Sequence, residues 1–275
     1  MALFIYGIFC AFVLGLLFGS FANVCIYRIP LDLSVVRPRS SCVKCKNPVL
    51  WHDNIPVLSF IILGAKCRHC KTKISFIYPM VEILTGTLFA LLFYKYQFSF
   101  PFFLFCVLAF SLVVISVIDY YHQIIPDIFP LILASCGLLF AAFNPTLGSA
   151  YLERIINSVC GLVAGGGSLL IIGLLGQFIY KKEAMGGGDV KLMAGVGALI
   201  GWDKVLFAIF IGAFLGSIAG IFLLIFKKVE KRGYMPFGPF LAAASYLVLF
   251  LPKPEIIINA FIVWETDIIN RLFGF

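Results

Sequence analysis

The sequence predicts an all-α polytopic membrane protein of about eight transmembrane helices, with a small zinc-binding cytoplasmic insert between helices 1 and 2. Three observations point there. Of 275 residues, 62% are hydrophobic and only 12% charged, whereas soluble domains carry about 25% charged residues. Apolar runs of about 18 or more residues recur, each long enough to cross a bilayer as a helix. One long polar stretch, from residue 29 to about 76, interrupts them and carries two C-x-x-C pairs.

The first helix is expected from Phe4 to Ile26. Its start has neither a basic n-region nor a small-residue cleavage site, so it reads as a retained span. It holds Gly15-x-x-x-Gly19, a spacing that lets helices approach closely in lipid. Arg28 and Pro30 mark the exit from the membrane. The polar insert then carries Arg37, Arg39, Lys44, Lys46, Lys66, Arg68, Lys71 and Lys73 against Asp32 and Asp53. Such a basic loop belongs on the cytoplasmic side, which puts the N-terminus outside.

Helix two is expected from Tyr78-Pro79 to Tyr94, with Glu82 near its cytoplasmic end, and helix three from Phe98 to Ile118, with Asp119 at its end. Helix four runs on from Pro126-Asp127 to Phe143, where Asn144-Pro145 makes a turn. Helix five covers Ile155 to Ile179, with Gly161-x-x-x-Gly165 inside it. Helix six, Asp189 to Ile200, is short and must tilt or barely span. Helix seven, Val205 to Phe226, carries small residues at Gly212, Gly216 and Gly220. Helix eight runs from Pro239 to Leu251, and the tail from Lys253 holds a further short apolar run.

With this topology the loops around 29–76, 119–127, 180–189 and 227–235 fall inside. Of the 21 lysines and arginines, all but Lys95, Arg154, Lys204, Lys253 and Arg271 then lie on that side. The net charge of +8 is therefore explained by topology, and no nucleic-acid partner is expected. The lipid bilayer is the expected surrounding partner.

Cys10, Cys25, Cys106, Cys136 and Cys160 stand singly in apolar runs and read as small core residues. Cys42, Cys45, Cys67 and Cys70 differ. Two such pairs supply four thiolates for a closed tetrahedral zinc site. A metal can supply the folding energy that a loop of about 50 residues lacks. A disulfide pair or a redox C-x-x-C is the weaker reading in a reducing cytoplasm. His52 and His69 are near but not needed.

Gly186-Gly187-Gly188-Asp189 reads as G-x-G-D at the mouth of an apolar run. Either Asp189 caps a helix after a glycine turn, or it is a functional acid at a membrane boundary. The topology places Asp119 and Asp189 on the same face. Two carboxylates held close do not both ionise readily; one acts as base and the other as acid, the chemistry of aspartyl proteolysis. Glycines 186, 187 and 188 would leave a side-chain-free floor for a substrate backbone. Asp127 reads as a cap on helix four. A transporter, with both acids lining an ion path, is the competing class. Against it, the acids lie near one face, and no inverted repeat is evident.

These residues together resemble the type IV prepilin leader peptidases, bifunctional membrane enzymes of the G-x-G-D aspartyl protease class. The resemblance runs from about Gly19 to about Gly238. It rests on Gly19-Ser20-Phe21-Ala22-Asn23-Val24, both C-x-x-C pairs, and Trp51 through Ser59. It continues with Ile74-Ser75, Tyr78-Pro79-x-Val81-Glu82, Asp119 through Asp127, and Gly186 through Leu192. The chain departs from the usual pattern in having Val43-Lys44 inside the first C-x-x-C, and Ile77 before Tyr-Pro.

The resemblance implies that Asp119 and Asp189 are the catalytic pair. It implies cleavage of type IV prepilins or pseudopilins after a glycine at the cytoplasmic face of the bacterial inner membrane. It also implies N-methylation of the new N-terminus from S-adenosylmethionine. Residues 1–28 would form the first span and 29–77 the methyltransferase-associated cysteine insert. Residues 78–275 would be the peptidase domain. No Rossmann-type glycine fingerprint is present. Asp53, Asn54 and Glu82 are the candidates for orienting the amine or the cofactor. The alternative is that Asp53 and Asn54 form a turn and that Glu82 pairs with a cytoplasmic Arg or Lys.

Overall fold

The computed structural model describes residues 1–181, 185–226 and 236–252. The expected basic segments at Lys182-Glu183 and Lys227 to Arg232, and the tail from Lys253, lie outside the described residues. The architecture is all-α. Among the described residues the only β pairing is two isolated antiparallel bridges. The helices are α1 (Ala2–Arg28), α2 (Leu58–Ile62), α3 (Ile77–Tyr96), α4 (Phe100–His122), α5 (Ile128–Leu139), α6 (Tyr151–Tyr180), α7 (Gly187–Ile200), α8 (Trp202–Ile225) and α9 (Gly238–Val248). All eight expected helices are found, with α2 added inside the insert. Of these, α1, α3, α4, α6 and α8 are long and apolar enough to cross a membrane. The other three expected spans, α5, α7 and α9, are shorter.

The chain divides into two compact units, Met1–Phe129 and the residues from Pro130 on. In the first, α1, α3 and α4 pack together. The close approach of α1 to α3 depends on glycine: a Cβ on Gly19 would fall 2.6 Å from the Cα of Glu82. Asn23 fastens the same crossing, donating from Nδ2 to the Tyr78 carbonyl at 3.0 Å. The innermost helix is α4, which buries Phe102, Phe105, Leu108, Ile115 and Ile118 completely or nearly so. It runs a turn beyond the apolar run and stops at Gln123, in the left-handed region (φ 55°), whose N–H donates to the Asp119 carbonyl. Asp119 is therefore inside the last turn of α4, not beyond its end.

The second unit is built on α6 and α7. Gly161 and Gly197 face each other so closely that a Cβ on either would overlap the other's carbonyl oxygen. Ser158 Oγ lies 2.7 Å from the Ala198 carbonyl and 3.1 Å from the Gly137 carbonyl, joining α5, α6 and α7. Asn144 Nδ2 donates to Leu199 O at 3.0 Å. In an apolar setting these buried donors find carbonyls on neighbouring helices. The start of α6 is a turn earlier than expected, because Glu153 accepts from the Ser149 and Ala150 amides and Arg154 donates to three loop carbonyls.

Gly161→Val has no room between α6 and α7. We expect it to lower stability by about 3 kcal/mol or more, at or above the usual range for overpacking. Thermal unfolding of the detergent-solubilised protein, followed by intrinsic fluorescence, measures this.

The isolated cysteines divide. Cys25 and Cys106 are buried, Cys136 is half-buried, and Cys10 and Cys160 are exposed. A thiol is apolar enough to sit on a lipid-facing helix surface at little cost. The expectation of a core position therefore fails for Cys10 and Cys160.

Candidate active sites

The four paired cysteines come together. All four Sγ atoms lie within 4.8 Å of one another, and Cys42 Sγ is 3.7 Å from Cys70 Sγ. Four thiolates at a Zn–S distance of about 2.3 Å stand about 3.8 Å apart along a tetrahedron's edges, so the set fits such an ion. The two pairs are built alike. Cys42 N–H donates to Asn47 O and Lys46 N–H to Cys42 O; Cys67 N–H donates to Thr72 O and Lys71 N–H to Cys67 O. Lys46 and Lys71 both adopt φ 57°, and bridges at Ser41–Pro48 and Lys66–Lys73 close the two knuckles. The shared Cys-x-x-Cys-Lys pattern was the sequence signal for this duplication. Hydrogen bonds from Thr72 bring the Cys70 thiol down to about 6. Bonds from the Cys45 and Lys44 amides lower Cys42 as well. For Cys45 the Asn47 amide pulls the same way, but burial and the neighbouring thiols prevail and carry it to about 11. At both Cys42 and Cys70 the surrounding hydrogen bonds thus act in the direction of the thiolate.

Between this module and the ends of α1 and α3 lies a cavity of ≈ 450 Å³, within the range of about 300–1,000 Å³ typical of small-molecule sites. Asp53, Asn54 and Glu82 all line it, so the three candidates share one space. Their environments differ. Asp53 sits in a single 3-10 turn, Trp51–Asn54, and is held by Arg68 through two bonds of 2.7 and 2.6 Å. The guanidinium keeps its carboxyl below the usual carboxylate range. Asn54 is exposed in the same turn. Glu82 is 8% exposed and accepts from the Val57 amide at 2.8 Å. Among the described residues it forms no ion pair, so the Arg or Lys partner of the alternative reading is not found. Asp53 and Asn54 do form the turn of that alternative.

Arg28 and Arg68 were not singled out from sequence as site residues. Arg28 donates to the carbonyls of Ser34 and Pro38 at 2.9 and 2.8 Å and so ties the start of the insert to the end of α1. A lone arginine just past an apolar run looks like any membrane-exit charge. Nothing in the spacing distinguishes it.

Asp119, in the last turn of α4 in the first unit, is 6% exposed; it does not face water. In the second unit Gly186 precedes α7, and Asp189 lies in its first turn, half-buried. The Asp189 carboxylate folds back over its own helix start, within 3.4 Å of a Cβ position on Gly186. Asp189 therefore lies in the first turn and not at the N-cap position, which Gly186 occupies, and Gly186 and Gly187 are exposed. Asp127 directly precedes α5, where a cap was expected.

Two family models match the chain, and they meet between residues 96 and 106, before the break between the two compact units. Residues 13–96 match the Bacterial Peptidase A24 N-terminal domain, and residues 106–221 match the Type IV leader peptidase family. Over 86% of its length the chain is 34% identical to a prepilin leader peptidase/N-methyltransferase from Neisseria gonorrhoeae, covering 88% of that protein. It is 31% identical over 88% of its length to the protein of the same name from Pseudomonas aeruginosa, covering 89% of it. With that from Bacillus subtilis the identity is 32%, over 86% of this chain and 91% of the other. No solved structure matches. On this similarity, which spans most of both chains, the chain belongs to the family of prepilin leader peptidase/N-methyltransferases.

Proposed function

We propose that this enzyme removes the basic leader of type IV prepilins or pseudopilins after a glycine at the cytoplasmic face of the inner membrane, and then N-methylates the exposed N-terminus from S-adenosylmethionine. The observation that carries the second activity is Glu82, a buried carboxylate in a cavity walled by the cysteine module. Eight spans, with the N-terminus outside, place the cavity and both catalytic aspartates at the cytoplasmic boundary. Residues 29–77, together with Glu82 behind them, serve methyl transfer, and the rest of 78–275 serves proteolysis.

Asp119 and Asp189 act as the proteolytic pair. The positive end of the α7 dipole favours negative charge on Asp189, which makes it the base. It takes a proton from water as the water oxygen attacks the glycine carbonyl carbon. Asp119 donates to the carbonyl oxygen, giving a gem-diol; the proton held by Asp189 then passes to the leaving amine as the peptide bond breaks, and Asp119 takes back a hydroxyl proton as the new carboxyl group forms. Exposed Gly186 and Gly187, with Gly188 beside them, leave space for an extended substrate backbone.

The cavity's residues suit S-adenosylmethionine. Phe60 and Tyr78 offer aromatic surface, Arg28 and Lys73 cations for a carboxylate, and Glu82 an anion for a cationic centre. When bound, the cofactor supplies an electrophilic methyl group. Glu82 holds the substrate's N-terminal ammonium and accepts its proton, leaving the neutral amine that methyl transfer requires. Asp53, already paired with Arg68, shapes the wall and holds the turn that carries Asn54.

Incubating purified enzyme with a prepilin and labelled S-adenosylmethionine tests the whole reading. Cleaved pilin carrying label at its N-terminus is expected; cleavage without label would leave a peptidase alone. The zinc site has its own test. Cys42→Ser should reduce zinc from about one ion per chain to near none, since a structural site needs all four thiolates. Elemental analysis of the purified variant measures this, and undiminished zinc argues against the site.

A further inference from the structure

The five residues of α2 sit beside the start of α3, not above it. The Val57 amide at the head of α2 donates to Glu82, and Glu82 is about 7.5 Å along α3 from its first residue. The Phe60 ring meets Phe76, just before α3, with centroids 6.0 Å apart. The helix therefore lies at the depth of the first turns of a membrane span. Its inner side faces the cavity through Phe60, and Ser59 is buried. Leu58, Ile61 and Ile62 share the other face, by their i, i+3, i+4 spacing, and are 56%, 66% and 75% exposed.

On α3, Met80, Ile83 and Leu84 form an exposed apolar face of their own. The preceding turn, which contacts α2, carries Trp51, 82% exposed. Exposed Lys66, Lys71 and Lys73 follow on the second knuckle. An apolar face level with a span, flanked by tryptophan and lysines, is the composition of a membrane interface.

We propose that α2 is an interfacial anchor. Its Leu58–Ile61–Ile62 face beds into the boundary between headgroups and acyl chains of an anionic bilayer, with Trp51 at headgroup level and Lys66 and Lys71 on acidic phospholipids. This fixes the cysteine module against the membrane and sets the depth of the cavity beside it. The inference rests on the membrane reading of α1 and α3 and on neither catalytic assignment.

The test uses full-length enzyme in phosphatidylcholine/phosphatidylglycerol vesicles, with Trp202 and Trp264 replaced by phenylalanine. Trp51 is one reporter, in its native place. Ile62→Trp, combined with Trp51→Phe, is the second. Lipids brominated near the headgroup should quench the Ile62→Trp emission about two-fold, and lipids brominated near the chain ends much less. Aqueous iodide should quench it little, while Trp51 should respond to both shallow bromine and iodide. Iodide quenching at position 62 without bromolipid quenching would place the face in water. Protection from both would place it against protein, whether a second copy or another segment. Either result overturns the anchor. Prepilin cleavage by the same samples reports whether the peptidase reading stands, independently of the fluorescence result.

Discussion

Asp119→Asn and Asp189→Asn should each reduce prepilin cleavage by about 10³-fold or more, the scale on which positioned acid–base groups act. Asparagine keeps the volume and a carbonyl acceptor but can neither take nor release the proton. Cleavage of a purified prepilin, followed by gel shift, measures the loss. Because the two acids share one reaction, the double variant should be scarcely slower than either single one. Near-normal cleavage by either single variant would overturn the pair. Methylation of a pilin already freed of its leader should persist in both variants, since neither aspartate lines the cavity beside the cysteine module.

Glu82→Gln should show the reverse pattern. Glutamine can still accept from the Val57 amide, so the packing of α2 on α3 should survive. It cannot accept the amine's proton or balance its charge. Methyl transfer should drop about 10²-fold, with cleavage within a few-fold of normal. Labelled S-adenosylmethionine and a precleaved pilin measure it. Raising the pH should restore part of the rate, because an α-amino group deprotonates near 7.7–8.0 without help. A rate equal to that of the unaltered enzyme at neutral pH would remove Glu82 from the reaction. Asp53→Asn is the contrast: Arg68 already neutralises Asp53, so its loss should disturb the turn and binding more than the chemical step.

Much of this was legible because membrane helices are local objects. A run such as Phe102 to Ile118 must satisfy its own backbone in lipid, so helix follows from apolar length alone. The ends were less legible, because polar residues also form helix where something caps them. Glu153 and Arg154 extend α6 outward from the apolar run, and Gln123 stops α4 a turn past it. The cysteine pairs were legible because metal geometry needs one spacing. The side on which Cys10 and Cys160 lie was not, because a thiol suits both a protein core and a lipid-facing surface.

The sequence by itself determined the helices, the four-thiol cluster, and the acids and glycines with which the chain can do chemistry. Each rests on residue type and spacing along the chain. Only the tertiary structure decided which of them meet. It put Glu82 behind Gly19, paired Asp53 with Arg68, and laid α2 beside α3 with its apolar face outward. Those outcomes depend on how closely two helices approach and on which groups a fold leaves paired, and these are properties of contacts between residues distant in the chain.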